Sequence, residues 1–153
     1  MLFLLILLAA YAGVRLFGAR HRDRRDQWRL ALGVAMAVAG VAHLVDPLPF
    51  VQHLPPWVPN RELLVAASGV AEIALGAGLL LRPPWRGWVG LALAAYLVAV
   101  FPANVYVAVS GVDVSGQPGG VYPWLRLPFQ ALFVWLAAWS TRAPSVLRVK
   151  EPV

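Results

Sequence analysis

Apolar and polar positions along this chain fall into long blocks rather than short alternations. Five blocks are dominated by Leu, Val, Ala and aromatic residues, at about 2–19, 28–46, 62–81, 86–110 and 124–141. A helix rises about 1.5 Å per residue, so roughly 17–25 apolar residues are needed to cross the hydrocarbon core of a bilayer. The pattern predicts an all-α, polytopic membrane helical bundle of five spans. Composition agrees: 60% of the 153 residues are hydrophobic and 13% are charged, against about a quarter charged in a soluble domain. One bundle uses the whole length and leaves no room for a second soluble domain.

The first block, "MLFLLILLAAYAGVRLFGA", lacks the basic leader of a secretory signal, and its charges follow it in "RHRDRRDQWR". It is expected to be a retained N-terminal transmembrane or signal-like helix over 1–20, with Arg15 snorkelling toward the interface. Residues 142–153 form a tail.

Charge changes the picture by giving the bundle a direction. The formal net charge of +6 does not point to nucleic acid, because the basic residues sit in short connections where membrane topology accounts for them. Arg15, Arg20, Arg22, Arg24, Arg25 and Arg29 surround the first connection. Arg82 and Arg86 flank "RPPWR", and Arg142, Arg148 and Lys150 lie in the tail. With five spans all of these fall on one side, leaving two of the thirteen basic residues, Arg61 and Arg126, on the other. The positive-inside rule then puts the N-terminus outside and the tail in the cytoplasm.

The outer connections differ from the inner ones. "DPLPFVQHLPPWVPNR" (46–61) holds five prolines, which forbid a regular helix, yet it is too apolar for an ordinary exposed loop. It is expected to lie bent at the membrane surface, with Trp57 at headgroup level. "GVDVSGQPGGVYP" (111–123) reads as a flexible glycine-rich turn.

Within the spans the uncommon residues are His43, Glu72, Asn104 and Gln130, with Asp46 and Arg126 at the outer ends. Gly33, Met36, Gly40 and His43 share one face of the second span. Ser68, Gly69, Glu72 and Gly76 share one face of the third. Small residues at this spacing allow close helix approach, so His43 and Glu72 are expected to face neighbouring helices. Arg126 and Gln130, four apart, share a face of the last span. From the outer ends His43 lies about 5 Å deep, Gln130 about 9 Å, Asn104 about 10 Å and Glu72 about 15 Å. Such a descending trail suits a cavity open to the outside. It equally suits a bundle pinned by interhelical hydrogen bonds, each contributing about 0.6–2 kcal/mol.

Glu72 stands apart, because an ionisable group near the bilayer centre costs several kcal/mol unless it is neutralised or paired. Arg126 and His43 are its candidate partners. Asn104 is expected to bond a facing helix, or the Val98 carbonyl that Pro102 leaves free.

Several chemistries are excluded. There is no cysteine, hence no disulfide framework and no thiol relay of the chain's own. His43, Asp46 and His53 have no recognised ligand spacing, so no metal site is expected. No nucleotide-binding glycine motif and no plausible Ser/His/Asp set is present.

Five motifs in order carry a family resemblance over roughly 28–141. They are the histidine before a proline (His43, Pro47), Pro-Trp-x-Pro (Pro56, Trp57, Pro59), Ser-Gly-x-x-Glu (Ser68, Gly69, Glu72), Phe-Pro-Ala-Asn (Phe101 to Asn104) and Arg-Leu-Pro-x-Gln (Arg126 to Gln130). In these the chain resembles the DoxX-like membrane proteins. The resemblance implies a four-helix core, with residues 1–20 as an extra span, in an integral protein of a bacterial inner membrane. Relatives include membrane subunits associated with quinone-linked oxidation and, more distantly, assembly chaperones for other membrane proteins.

Two functions follow as expectations. In the first, the protein is a redox-associated subunit, possible partner of an oxidoreductase, with no self-contained catalytic motif. It binds a quinone or other apolar ligand in an outward polar cavity. Glu72 is then the proton acceptor and His43, Asn104, Arg126, Gln130 and Trp57 form the binding wall. In the second it is a non-enzymatic scaffold or chaperone whose proline-rich loop recognises a partner membrane protein. A ligand site needs space beside its polar groups, whereas a locked bundle has them paired.

Overall fold

The computed structural model describes residues 2–17, 22–82 and 85–141. The tail at 142–153, with Arg142, Arg148 and Lys150, and also Arg20 lie outside the described residues.

The fold is all-helical, with no strand among the described residues. Its elements are α1 (Leu2–Phe17), α2 (Arg24–Val45), α3 (Leu48–Val51), α4 (Arg61–Gly78), α5 (Trp85–Ser110) and α6 (Tyr122–Thr141). The five long helices coincide with the five apolar blocks. By length and composition α2 and α5 could each cross a membrane. At 16 residues α1 is apolar but shorter. Arg61, Glu62 and Glu72 dilute the hydropathy of α4, and Pro, Gln, Arg and Tyr that of α6.

Two helix pairs make most of the contacts, α2 with α4 and α5 with α6, while α1 lies on α2. The antiparallel α2–α4 seam is built by glycine. A Cβ on Gly33 would stand 2.9 Å from the Gly76 carbonyl oxygen, and one on Gly76 would stand 2.7 Å from that of Gly33. One on Gly69 would stand 2.8 Å from both the Gly40 oxygen and the His43 Cβ. The two backbones thus touch directly at two levels, as the glycine spacing predicts.

A core of Leu7, Leu32, Ala35, Met36, Leu79, Leu93, Leu97, Phe133 and Leu136 fills the space between the pairs. The first helix is part of it. Leu7 is buried, Phe3 meets the Phe133 ring edge-on at 4.8 Å, and Tyr11 stacks on Trp28 at 4.0 Å.

Three segments depart from the sequence expectation. The proline-rich loop does contain helix: α3 turns once, with Pro49 in its first turn, where a missing N–H leaves no bond unmade. The 111–121 connection is tied down rather than loose. Its turns use positive φ at Gly111, Gly116 and Gly120, but Val114 is buried and the Ser115 N–H donates to Gln52 Oε1 at 2.7 Å. Finally, Arg29 is not a surface charge. It is buried, bonds Asp26 Oδ1 through Nε and Nη2 at 3.2 and 3.0 Å, and donates from Nη1 to the Leu79 carbonyl. Leu79 is the C-cap of α4, so Arg29 supplies a donor to an otherwise orphaned helix-end carbonyl. Arg86 Nη1 lies 3.5 Å from the same Asp26 oxygen, which brings the starts of α2 and α5 to one end of the bundle.

Candidate functional site

Two polar clusters occupy the opposite end. The deeper one joins α2, α4 and α5. Glu72 is 8% exposed, and its Oε1 accepts the Tyr96 hydroxyl at 2.8 Å. Its Oε2 lies 3.4 Å from His43 Nδ1 but is buried without a hydrogen bond. The reason is that Nδ1 sits 2.8 Å from the Ala39 carbonyl. A carbonyl only accepts, so Nδ1 carries the proton and directs it there. The neutral ring therefore offers Nε2 as an acceptor. Phe50 of α3 stacks on the imidazole at 3.7 Å. The close α2–α4 approach at Gly40 and Gly69 is what brings His43 within reach of Glu72, three residues beyond Gly69.

His43 also lines a partly open cavity of about 260 Å³ with Leu44, Pro47, Leu48, Val51, Glu62 and Ala66. Its walls come from α2, α3 and α4. A second, more polar hollow of about 450 Å³ lies beyond it, around Pro56, Asn60, Arg61 and Glu62.

The outer cluster joins both outer loops to α5 and α6. Arg126 Nη1 meets His53 Nε2 at 2.8 Å and donates to Gln117 Oε1 at 2.6 Å, while Nη2 donates to Asn104 Oδ1 at 3.1 Å. Asn104 Nδ2 donates to Gln130 Oε1 at 3.4 Å, and Gln130 Nε2 to the Leu97 carbonyl at 2.7 Å. Guanidinium groups only donate, so His53 Nε2 is the acceptor. Its Nδ1–H then donates to the Pro49 carbonyl at 2.7 Å. Burial pushes the His53 imidazole down to about 4, with the Arg126 and His43 charges adding to the effect and the Pro49 bond opposing it.

The expected binding wall is thus divided. His43 and Glu72 stand together, beside the cavity. Arg126, Asn104 and Gln130 stand together too, but their bonds are spent on one another and on the loops. Arg126 is no partner of Glu72. Asn104 bonds the facing helix α6 rather than the Val98 carbonyl. Trp57, 81% exposed, touches neither cluster among the contacts above. Asp46 serves as the C-cap of α2, and no metal-binding group of acidic and histidine residues forms among the described residues.

Three members escape a reading by sequence. Tyr96 resembles any interfacial tyrosine of an apolar helix. His53 and Gln117 lie in loops whose closure depends on tertiary contacts. The four-residue spacing of Arg126 and Gln130, together with the bond expected from Asn104 to a facing helix, hinted at the outer cluster.

The chain belongs to the family described as "Domain of unknown function (DUF8561)", whose model matches residues 32–142. No curated protein and no solved structure matches the chain.

Proposed function

For this member of the family, we propose a DoxX-like, five-span integral protein of a bacterial inner membrane, N-terminus outside, that serves as a redox-associated subunit binding a quinone-type ring. Support for the membrane reading is the apolar exterior: Leu5, Val41, Val70, Trp88, Leu91, Val98 and Trp135 are all exposed, as suits side chains that face lipid. The packed first helix supports a fifth span. Arg86 beside Asp26, with Arg126 at the far end, supports the charge-based orientation.

One observation carries the ligand reading: a histidine lines the cavity while a buried carboxylate, one oxygen unpartnered, stands behind it. A ring bearing a hydroxyl, the quinol form, can donate to His43 Nε2. As the hydroxyl proton passes to the imidazole, the charge created lies 3.4 Å from Glu72 Oε2, which steadies it as a carboxylate steadies a catalytic histidine. Tyr96 holds the other oxygen in place. Oxidation to the quinone is completed when the two electrons leave to a partner redox protein and the proton of the second hydroxyl leaves to water through the open side of the cavity. At about 260 Å³ the cavity is below the roughly 300–1,000 Å³ of sites that enclose a whole drug-sized ligand. A ring whose isoprenoid tail stays in lipid fits that size.

Compared with the sequence expectation, the binding residues narrow to His43 and Glu72, with Tyr96 positioning. The test is to purify wild type, His43→Ala and Glu72→Gln in mild detergent, identify co-extracted lipids by mass spectrometry and titrate a short-chain quinol. Wild type should bind it at least ten times more tightly than His43→Ala. Equal, weak binding by all three would sink the reading.

A scaffold function is the second reading, favoured by one feature. The two outer loops are stapled into a fixed surface that presents an exposed Trp57 among prolines. Photo-crosslinking from position 57 in native membranes should then capture a membrane protein, and recovery of lipid alone would count against it.

A further inference from the structure

The cavity and the outer cluster share a wall. α3 and its N-cap give Pro47, Leu48 and Val51 to the cavity. Immediately after it the chain is tied down by two side chains, Gln52 to the Ser115 N–H and His53 to Arg126. Arg126 in turn grips Gln117 of the second loop. One guanidinium therefore holds both loops, and through them α3, against α5 and α6.

Both ring nitrogens of His53 are committed. Nδ1 must carry a proton because it faces the Pro49 carbonyl, and Nε2 must be bare because it faces a guanidinium. A second proton can enter only at Nε2. There it would replace an acceptor by a donor and set two cations at hydrogen-bond distance.

We propose that His53 is an acid-released latch: as a neutral acceptor it holds α3 over the His43 cavity, and its protonation frees α3 and the 111–117 segment together, so that a bound ring is let go. The ligand half of this statement rests on the proposed function above; the latch itself does not.

The charged surroundings favour the switch. Arg126 faces the ring from α6 as a like charge, and His43 acts on it from α2 in the same sense once it is itself protonated in acid. Tyr122 acts on Arg126 from the same helix. The ion pairs of the described residues draw on Asp26 and Glu72, so none offers a carboxylate to steady a charged His53. The direction follows by linkage. The closed ring stays unprotonated down to about 4, whereas a released imidazole binds a proton near 6.5. Closure is unaffected above that upper value and weakens about tenfold per pH unit below it, until the lower one is reached.

Hydrogen–deuterium exchange of the full chain in lipid nanodiscs tests this, comparing wild type with His53→Gln at neutral pH and near pH 4.5. Glutamine accepts from Arg126 but cannot be protonated, and comparison at one pH removes the intrinsic exchange chemistry. In acid, wild type should lose at least tenfold protection over 47–54 and 111–117 relative to His53→Gln, with the two alike at neutral pH. Equal protection of the two proteins in acid overturns the latch. If His53→Gln does not fold, Arg126→Gln replaces it. Without the guanidinium the same segments should be less protected at neutral pH and indifferent to acid, and an acid response as large as wild type's overturns the proposal.

A short-chain quinol titrated into the same samples separates the two readings. Binding that weakens in acid in wild type but not in His53→Gln supports both. An acid-opened exchange pattern with no quinol bound at either pH removes the ligand and keeps the latch. Binding without the exchange difference keeps the ligand and removes the latch.

Discussion

The two polar clusters stand side by side and are built on opposite principles. Around Arg126 donors meet acceptors: a guanidinium, three amides and a histidine, with a backbone carbonyl closing each end. Around Glu72 they do not. One carboxyl oxygen is bonded and the other, equally buried, is left open beside a histidine that donates elsewhere. A saturated network in a low-dielectric interior rigidifies what it joins, while a buried acceptor without a donor costs about 1–3 kcal/mol. Such a cost persists in a fold when the group has work to do. Under the proposed function the first cluster is fastening and the second chemistry.

The seam beneath both clusters should show the largest effect when broken. Gly69→Leu would drive a side chain into the Gly40 carbonyl and the His43 Cβ, contacts that cannot yield without separating α2 from α4. A loss of about 3 kcal/mol or more is expected, read as a lower midpoint of thermal unfolding in detergent. Quinol binding should disappear with it, since the His43–Glu72 distance depends on that approach. Gly13→Ala, where an added Cβ meets nothing within 4 Å, should leave the midpoint no lower and raise it slightly, because alanine favours helix over glycine.

Next in size comes the fastening itself. Arg126→Met strips the donor from His53, Gln117 and Asn104 at once, and about 2–4 kcal/mol should be lost. Glu72→Gln, by contrast, keeps the Tyr96 bond and exchanges one unpartnered buried group for another, an oxygen for an amide NH2 beside His43 Nδ1–H. Its stability should change by less than about 1 kcal/mol while quinol affinity falls. The comparison fails if the two substitutions destabilise equally, because the Glu72 cluster would then be fastening as well.

How far the sequence reached depended on whether the information was local. The five long helices could be read because apolar blocks are local. So could the α2–α4 seam, since Gly33 and Gly40 on one helix and Gly69 and Gly76 on the other each repeat at seven residues. The position of His43 and Glu72 on facing helices followed from the same spacing. What lay hidden needed loop closure. His53 looked like a loop histidine with no metal partner, and Gln117 like a turn residue, because nothing near either in sequence signals Arg126. Arg29 looked like one more topological charge. Its burial depends on the α4 terminus reaching it from fifty residues away. The same ignorance merged the two clusters into one wall, since depth along a helix does not say which donor each acceptor receives.

The smallest expected effect is at Trp57, and it discriminates best between the two functions. Its side chain is 81% exposed, and a surface substitution away from caps, cores and networks changes stability within about 0.5 kcal/mol. Trp57→Ala should thus leave the unfolding midpoint and the acid response unchanged, because His53, Gln52 and their partners lie on the other side of Pro55 and Pro56. Under the ligand reading quinol affinity is unchanged too, as Trp57 is not among the cavity-lining residues. Under the scaffold reading an exposed indole on a stapled loop is the kind of aromatic anchor that dominates an interface, and its removal should cost a partner at least tenfold in crosslinked yield. A Trp57→Ala protein that binds quinol normally but no longer restores a phenotype in cells would move the function from the cavity to the outer surface.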